Sequence, residues 1–282
     1  MRIEEELKLD YSDVLFRPKR STLQSRKDVN LKRTYKFKYS NNEWSGIPIM
    51  ASNMDGVGEL SVAEKLSEYG MITCLTKQHN IQKIKKFKKI KSIHPNIALS
   101  IGIKKEDFEN LDKILKEYSF IKFICIDVAN GYSEHFSKFL KSVRDKYPTK
   151  TIIADGGCTC PGDVAKGFGG GADFVMLGGM FAGHDEGEGK LIKSNGHKFI
   201  EFYGSSSDIA NKKHYGGLSD YRSSEGRTVR IKYRGKIKDT INNILGGVRS
   251  SCSYVGAPSL KQLSKCTTFV RVAKQFNDTF TK

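Results

Sequence analysis

Short apolar runs alternate with longer amphipathic stretches along the chain as far as Gly183. The runs are rich in β-branched and aromatic residues, which favour strands, and the stretches between them repeat apolar residues at helical spacing. Strands that recur roughly every 25 residues, with helices between them, are typical of a parallel βα array. The pattern predicts strands at 44–50, 71–75, 97–101, 121–126, 151–153 and 174–177, and helices at 58–69, 81–94, 107–118, 134–146 and 237–245.

Polar side chains follow the ends of four predicted strands. They are Asn53 and Asp55, Lys77, Asp127 and Asn130, and Asp155. In a parallel βα protein the carboxyl ends of the strands form the functional face, so this pattern predicts the active-site face of a TIM-type (βα) barrel, an α/β fold. A closed barrel of this type has eight strands. The strands predicted here therefore leave two βα units missing.

The stretch from Thr151 to Gly183 carries a carboxylate and two glycine pairs at successive strand ends. Asp155 precedes Gly156-Gly157, and a second pair, Gly178-Gly179, closes the next strand. Glycine pairs let backbone N–H groups approach a phosphate closely, because no Cβ intervenes. The Asp155 carboxylate can accept both hydroxyls of a ribose. We interpret this stretch as a binding site for a phosphate or a nucleotide. The alternative is that the glycines only form turns.

Residues 1–282 are predicted to form a single barrel domain with two additions. Residues 1–46 are expected to be an irregular lead-in. Residues about 184–236, with predicted strands at 199–204 and 228–233, are expected to form a flap over the barrel mouth. We call residues 184–236 the flap.

The formal net charge of +17 raises the question of nucleic-acid binding. Its densest cluster is the lysine segment, residues 81–94, in which Ile81, Ile84, Phe87 and Ile90 recur every three residues. This spacing predicts one amphipathic helix with a solvated lysine face, although an acidic partner remains the alternative. Because stacking aromatics and nucleic-acid motifs are lacking, we expect no nucleic-acid partner.

The charged start of the chain and the brevity of its apolar runs predict neither a signal peptide nor a membrane span. Six cysteines in such a chain are expected to be reduced thiols of a cytoplasmic protein. Cys158 and Cys160 form an isolated CxC pair, which is a weak indication of zinc, so no metal site is predicted.

Six segments of the sequence resemble the GMP reductases, the short relatives of IMP dehydrogenase that lack its regulatory domain. They are DYSDVLFRPKRSTLQSR, ASNMDGVG, DVANGYSEHF, DGGCTCPGDVAKGFGGGADFVMLGGMFAGHDE, YRSSEGRTV and ILGGVRSSCSYVGA. The resemblance implies a (βα)₈ barrel, a homotetramer, and NADPH-dependent reductive deamination of GMP to IMP and ammonia in the cytoplasm.

The resemblance also implies roles for individual residues. The implied substrate contacts are Asp155, Gly156, Gly157, Gly178, Gly179, Gly204, Ser205, Ser206, Arg222, Ser223, Ser224 and Gly226, with Glu225 in the catalytic relay. Ser205 stands where the family usually has methionine, which leaves the purine contact there open. The implied NADPH contacts are Ser25, Arg26, Lys77, Asp127, Val128 and Ala129, together with Ser250, Ser251, Cys252 and Ser253 from a neighbouring subunit.

One part of the family pattern is absent. The family has two further βα units between the DVANGY and DGGC segments, whereas here Lys150 runs directly into Thr151. In the family these units carry the nucleophilic cysteine, a proton-donating threonine and the ligands of a monovalent cation, potassium. Displacing an amino group from purine C2 needs a soft nucleophile such as a thiolate. The missing nucleophile and the two missing strands are therefore the same gap.

The sequence is consistent with three hypotheses of function. The first is a GMP reductase by descent. The second is an inactive purine-nucleotide-binding isoform or assembly subunit, and the third, weaker one is an IMP dehydrogenase. Cys158 is the remaining thiol nearest the strand ends, but the family has it beside its true nucleophile.

Overall fold

The computed structural model describes residues 3, 5–128, 131, 133–153, 160–204, 207–217 and 228–273. Its strands are β1 (Val14–Phe16), β2 (Arg33–Lys36), β3 (Glu43–Gly46), β4 (Ile49–Ala51), β5 (Ile72–Leu75), β6 (Ile97–Ile101), β7 (Phe123–Ile126), β8 (Thr151–Ile153), β9 (Val175–Leu177), β10 (Leu191–Ser194), β11 (His197–Tyr203), β12 (Thr228–Lys232) and β13 (Phe269–Arg271). Its α-helices are α1 (Leu60–Ser67), α2 (Ile81–Lys86), α3 (Ile90–Ile93), α4 (Lys105–Glu117), α5 (Glu134–Lys146), α6 (Pro161–Gly169), α7 (Asp208–Tyr215), α8 (Ile237–Val255) and α9 (Leu260–Cys266).

The chain divides into two compact units. We call the larger the barrel unit; it comprises Arg33–Thr159 and Phe174–Asn242. The second unit comprises Met1–Lys32, Cys160–Asp173 and Asn243–Lys282. The expectation of one domain over the whole chain stays a prediction.

The barrel unit is built on a parallel sheet with the strand order β8-β7-β6-β5-β4-β9. These six described strands form half of a barrel, with helices in the connections, which confirms the predicted TIM-type α/β class with its reduced strand number. The strand positions predicted from the apolar runs are confirmed to within a few residues, apart from the first.

Both faces of this sheet are buried, and the side chains alternate between them with the period of two expected for strands. Phe123 and Cys125 of β7 point to an inner cluster that also contains Trp44, Met50 and Met176. Ile124 and Ile126, the residues between and after them, join the outer cluster beneath the helices. The apolar runs that the sequence shows are therefore strands packed on both sides.

The first predicted strand, 44–50, is wrong because it joins two separate elements. Glu43–Gly46 pairs antiparallel with Arg33–Lys36, and only Ile49–Ala51 joins the parallel sheet. Pro48 lies between them and has no N–H to donate to a ladder. The hairpin also shows that the lead-in 1–46 is not wholly irregular.

The lysine segment is not the single helix that was predicted. It forms α2 and α3, and the chain is extended at Phe87, with φ −88° and ψ 96°. Six residues turn a continuous helix by about 600°, so Ile84 and Ile90 would point about 120° apart around its axis. The break lets both Ile84 and Ile90 be buried while the lysines stay exposed.

The described part of the flap contains an antiparallel sheet with the strand order β10-β11-β12. The predicted strands 199–204 and 228–233 are confirmed as β11 and β12, and β12 is an outer strand of this sheet. β10 was not predicted, because its sequence is short and charged.

The second unit contains a two-stranded antiparallel sheet, β1 with β13, in which Phe16 packs on Phe269 with ring centroids 5.1 Å apart. Helix α6 begins with Pro161, whose fixed φ suits the first position of a helix. Helix α8 continues to Val255, past the predicted end at 245. A Cβ on Gly247 would lie 2.9 Å from the Cβ of Pro161, so this glycine permits close packing rather than ending the helix. Among the described residues, no helix is long and apolar enough to cross a membrane.

Candidate active site

The carboxyl ends of β4, β5 and β7 bring three predicted residues to one cleft in the barrel unit. Lys77 Nζ lies 3.2 Å from Asp127 Oδ2, and both side chains are about a quarter exposed. Asp55 lines the same cleft. The remaining lining residues are Asn53, Gln78, Tyr203, Ala210 and His214. The structure thus brings together the strand-end residues that the sequence placed on one face.

The Asp55 carboxylate accepts three hydrogen bonds on one oxygen. Tyr203 Oη and His214 Nε2 each donate to Asp55 Oδ2 at 2.7 Å, and Lys213 Nζ donates to it at 2.9 Å. Lys213 Nζ also donates to Tyr203 Oη at 2.9 Å. Tyr203 ends β11 of the flap, and the other two donors lie in α7. We call these four residues the Asp55 cluster.

Opposing effects determine the pKa of Asp55. Burial alone would raise it, but the hydrogen bonds from Lys213, His214 and Tyr203 outweigh burial and lower the pKa below its usual value. For Lys213, burial would lower the pKa, but the contacts with Tyr203 and Asp55 raise it. Asp55 and Lys213 are therefore both charged at neutral pH.

The Gly178-Gly179 pair follows β9 at the same edge of the sheet. A Cβ on Gly178 would lie 3.0 Å from the sulfur of Met54 and 3.2 Å from Ser52 Oγ. Ser52 is 3% exposed, and within the described residues its Oγ has no hydrogen-bond partner. Glycine at 178 therefore lets the turn pack closely against Met54 and Ser52. A buried hydroxyl that lacks a partner within the described residues can donate to a ligand with polar oxygens, such as a phosphate.

Arg234 supports the backbone after this glycine pair. Its Nη1 donates to the carbonyl oxygen of Gly179 at 2.9 Å and to that of Met180 at 3.1 Å. These two hydrogen bonds fix the carbonyl groups of the turn that follows β9. Neither Arg234 nor Ser52 is among the site residues predicted from the sequence.

The predicted NADPH contacts at the two ends of the chain lie in the second unit. Ser25 caps a short helical turn by accepting from the N–H of Lys27 at 3.2 Å, and Arg26 is the first residue of that turn. Ser250, Ser251 and Ser253 lie in α8, where each hydroxyl donates to the carbonyl four residues earlier. The roles of both groups in NADPH binding stay predictions.

Cys252 is fully buried in α8. Burial, followed by the neighbouring Cys266, raises the pKa of its thiol to about 12. Cys74 and Cys125 are buried in the inner cluster of the barrel unit. These three thiols are unsuited to nucleophilic attack, which needs an accessible thiolate.

Several predicted site residues lie outside the described residues. They are Ala129, Asp155, Gly156, Gly157, Cys158, Ser205, Ser206, Arg222, Ser223, Ser224, Glu225 and Gly226. Gly204 is described and directly follows β11, next to Tyr203 of the Asp55 cluster, and Val128 follows β7 beside Asp127. Over the residues that the structure does describe, no group of three or more His, Cys, Asp or Glu side chains is arranged to hold a metal ion.

A parallel half-barrel with charged side chains, an unsatisfied hydroxyl and a glycine pair at its strand ends defines the class of TIM-type α/β enzymes. The family model described as IMP dehydrogenase / GMP reductase domain matches residues 8–153 and 148–277. The chain therefore belongs to the IMP dehydrogenase / GMP reductase family.

Relatives with established names agree with this assignment. The chain is 43% identical over 344 residues to proteins named GMP reductase from Escherichia coli O81 (strain ED1a), Shigella boydii serotype 4 (strain Sb227) and Escherichia coli (strain K12 / DH10B). In each case the match covers 99% of this chain and 99% of the relative.

The same comparisons locate the missing segment. A match over 344 residues exceeds the 282 residues of this chain by 62 (344 minus 282), so at least that many positions of the relatives have no counterpart here. The two stretches matched by the family model meet at residues 148–153. This is the Lys150–Thr151 junction at which the sequence predicts the gap.

Proposed function

We propose that this protein binds GMP and NADPH, the substrate and the cofactor of the reductive deamination of GMP to IMP and ammonia. The observation that carries the proposal is the 43% identity to GMP reductases over nearly the whole of both chains. The strand-end cleft supports it, because its residue types suit a nucleotide and a second, anionic ligand.

The residues present fit a purine mononucleotide. Gly178 packs closely against Met54 and Ser52, where a Cβ would be crowded, and Ser52 Oγ is buried without a partner in the described part of the chain. We assign Gly156-Gly157 and Gly178-Gly179 to the phosphate, and Asp155 to the ribose. The base is assigned to residues 222–226, with Glu225 in the proton relay, and Gly204, Ser205 and Ser206 are assigned as further contacts with the nucleotide.

The residues present also fit NADPH, which supplies the hydride that reduces purine C2 when it is bound. Lys77 provides a positively charged side chain for the cofactor, and Asp127 orients it, with 3.2 Å between Lys77 Nζ and Asp127 Oδ2. We assign the remaining contacts to Ser25, Arg26, Val128 and Ala129, and to residues 250–253 of a neighbouring copy in a homotetramer. We place the protein in the cytoplasm.

The chemical step needs the segment that is missing between Lys150 and Thr151. Cys74, Cys125 and Cys252 are buried, so these thiols cannot take over the attack on C2. By resemblance, the missing segment would also carry the potassium ligands. We therefore propose that the 282-residue chain retains nucleotide binding, and that turnover requires a form that contains the segment.

Calorimetric titration of the purified chain with GMP, IMP, CMP and NADPH tests the binding proposal. We expect GMP, IMP and NADPH to bind, and CMP to bind at least tenfold more weakly. Asp155→Ala is expected to abolish GMP binding, whereas Asp145→Ala, on the exposed face of α5, serves as the matched control. A wild-type chain that is folded by circular dichroism but binds neither GMP nor IMP would overturn the proposal.

A further inference from the structure

The Asp55 cluster joins two parts of the barrel unit that are far apart in sequence. Asp55 follows β4, and its three donors lie 148 to 159 residues later. We propose that Asp55 is a positioning residue: its carboxylate holds both ends of segment 203–214 against the end of β4 and thereby sets the affinity for the purine nucleotide. This inference rests on the function proposed above.

The contacts fall on the two ends of that segment. Tyr203 is the last residue of β11, and Lys213 and His214 lie in the last turn of α7. Tyr203 and His214 reach Asp55 Oδ2 at 2.7 Å, so one carboxylate oxygen closes a loop of about ten residues. The segment cannot move away from β4 without breaking both contacts.

The middle of the segment is tied to α7 by Ser207. Its backbone N–H donates to the carbonyl oxygen of Gly204 at 3.0 Å, and its Oγ accepts from the N–H of Ala210 at 3.2 Å. Ser207 is fully buried. Gly204, which is assigned to the nucleotide, therefore sits between two anchored points rather than on a free loop.

The cluster is built to persist at neutral pH. The side chains of Asp55 and His214 are 18% and 16% exposed, which shields their hydrogen bond from water. Lys213 is 56% exposed and adds its charge from the rim. Hydrogen bonds to a charged group are stronger than neutral ones, and removing the charge leaves the donors without an adequate acceptor.

Asp55→Asn tests the proposal, because it keeps the size of the side chain and removes its charge. Two measurements are made on the whole chain: GMP affinity by calorimetry, and hydrogen–deuterium exchange of peptides from 203–215. We expect GMP binding about tenfold weaker, which corresponds to the loss of a charge-assisted hydrogen bond, and faster exchange in α7. Exchange in β5 and β6 should be unchanged.

Tyr203→Phe provides a second variant that keeps the ring and removes only the donor. If the hydroxyl acts through Asp55, the double variant should lose little more GMP affinity than Asp55→Asn alone. The matched control is Asp185→Asn, which removes a carboxylate that accepts from Tyr233 Oη at 2.5 Å elsewhere in the flap. It should leave both GMP affinity and α7 exchange within twofold of wild type.

The outcomes separate this inference from the function on which it rests. A wild-type chain that does not bind GMP overturns the proposed function and the affinity part of the inference, and the exchange data alone then decide whether Asp55 holds the segment. A wild-type chain that binds GMP, with Asp55→Asn equal to it in affinity and in exchange, overturns the inference only. Additive losses in the double variant would show that Tyr203 acts independently of Asp55.

Discussion

Phe123 and Thr151 lie opposite each other on neighbouring parallel strands, β7 and β8. Thr151 is the first residue after the Lys150–Thr151 junction, at which relatives have an additional segment. Thr151 is tied in further: its N–H donates to the carbonyl oxygen of Lys122 at 2.9 Å, and its hydroxyl pairs with Ser40 Oγ at 2.8 Å. The sheet therefore continues directly across the junction, and α5 makes an ordinary crossover between the two strands. Within the described part of the chain, β8 and β9 are the outer strands of this sheet.

The pairing of β7 with β8 predicts a specific cross-link. Cys125 and Ile153 are register partners on these strands, and both contact the inner cluster. We expect Ile153→Cys to form a disulfide with Cys125 under mild oxidation, because partners on adjacent strands bring their Cβ atoms within reach of a disulfide. Peptide mapping by mass spectrometry, with and without reductant, detects the link.

Ile152→Cys is the matched control for this cross-link. Ile152 pairs with Ile124, and successive residues of a strand point to opposite faces, so its side chain points away from Cys125. Only the Ile153→Cys chain should give linked peptides. Absence of that link in a folded, oxidised sample would contradict direct pairing and would indicate that β8 lies elsewhere.

The Lys77–Asp127 pair predicts where the second ligand binds. We expect Lys77→Gln to weaken NADPH binding by about tenfold or more, because the variant loses the cation that faces the cleft. Asp127→Asn should weaken it less, since the lysine charge remains. NADPH fluorescence titrations in low salt measure both effects.

A surface ion pair of the same chemistry supplies the control for that titration. Lys85 Nζ lies 2.8 Å from Glu117 Oε2, and both side chains are about half exposed. Lys85→Gln lowers the net charge equally and should leave NADPH affinity within twofold. Equal losses in both lysine variants would assign the effect to overall charge rather than to the cleft.

Local patterns explain which parts of this fold were predictable. The continuous apolar run of Phe123, Ile124, Cys125 and Ile126 indicates a strand that is buried on both faces. The helix start at Pro161 follows from the fixed φ of proline. Where two elements share one apolar run, as at Pro48, a pattern read along the chain does not show which sheet each half joins. The lysine segment likewise breaks at Phe87 because tertiary packing of its isoleucines outweighs the helix propensity of its lysines.

The candidate site was predictable only one residue at a time. Asp55 and Lys77 were found because each follows a strand. The partners of Asp55, by contrast, lie at least 148 residues away and carry no local signal. Contacts of that separation depend on how the flap folds back, which residue types and spacing do not specify. Ser52 was missed for a related reason: its importance rests on burial without a partner in the described part of the chain, and burial of one hydroxyl cannot be read from sequence.

His79 predicts how stability depends on pH. Its Nδ1 contacts Thr76 Oγ1 at 2.9 Å, and its Nε2 lies 3.4 Å from Glu59 Oε2. Burial outweighs the hydrogen bond to Thr76 and lowers the pKa of His79 from 6.5 to about 4, so the imidazole is neutral in the folded protein at neutral pH. The unfolded chain takes up this proton near pH 6.5, and stability therefore falls as the pH drops from 6.5 toward 4.

Between pH 7 and pH 5, His79 should account for a loss of about 2 kcal/mol in the free energy of unfolding. Burial and the charge of Glu188 raise the pKa of Glu59, which has the opposite sign, so the comparison must be between variants. Urea unfolding of wild type and His79→Gln at both pH values isolates the histidine. His197→Gln, at an exposed position, is the control and should keep the wild-type pH dependence. An unchanged pH dependence in His79→Gln would show that His79 is not the titrating group.

The missing segment predicts a separation of binding from catalysis. Asp155, Gly157, Gly178 and Gly179 are all retained, so affinity for a purine mononucleotide should survive. Reduction at C2, by contrast, requires a nucleophile that bonds to C2, displaces the amino group as ammonia, and leaves again when a hydride is delivered to C2. We expect no GMP-dependent loss of NADPH absorbance with the 282-residue chain, and turnover once the relatives' segment is inserted between Lys150 and Thr151. Cys158→Ser should change neither result.

Robust turnover by the chain without the insert would contradict this prediction, and its abolition by Cys158→Ser would identify Cys158 as the nucleophile. If the chain shows no turnover but binds GMP, and if Asp155→Ala abolishes that binding, then the nucleotide-binding site functions without the catalytic step.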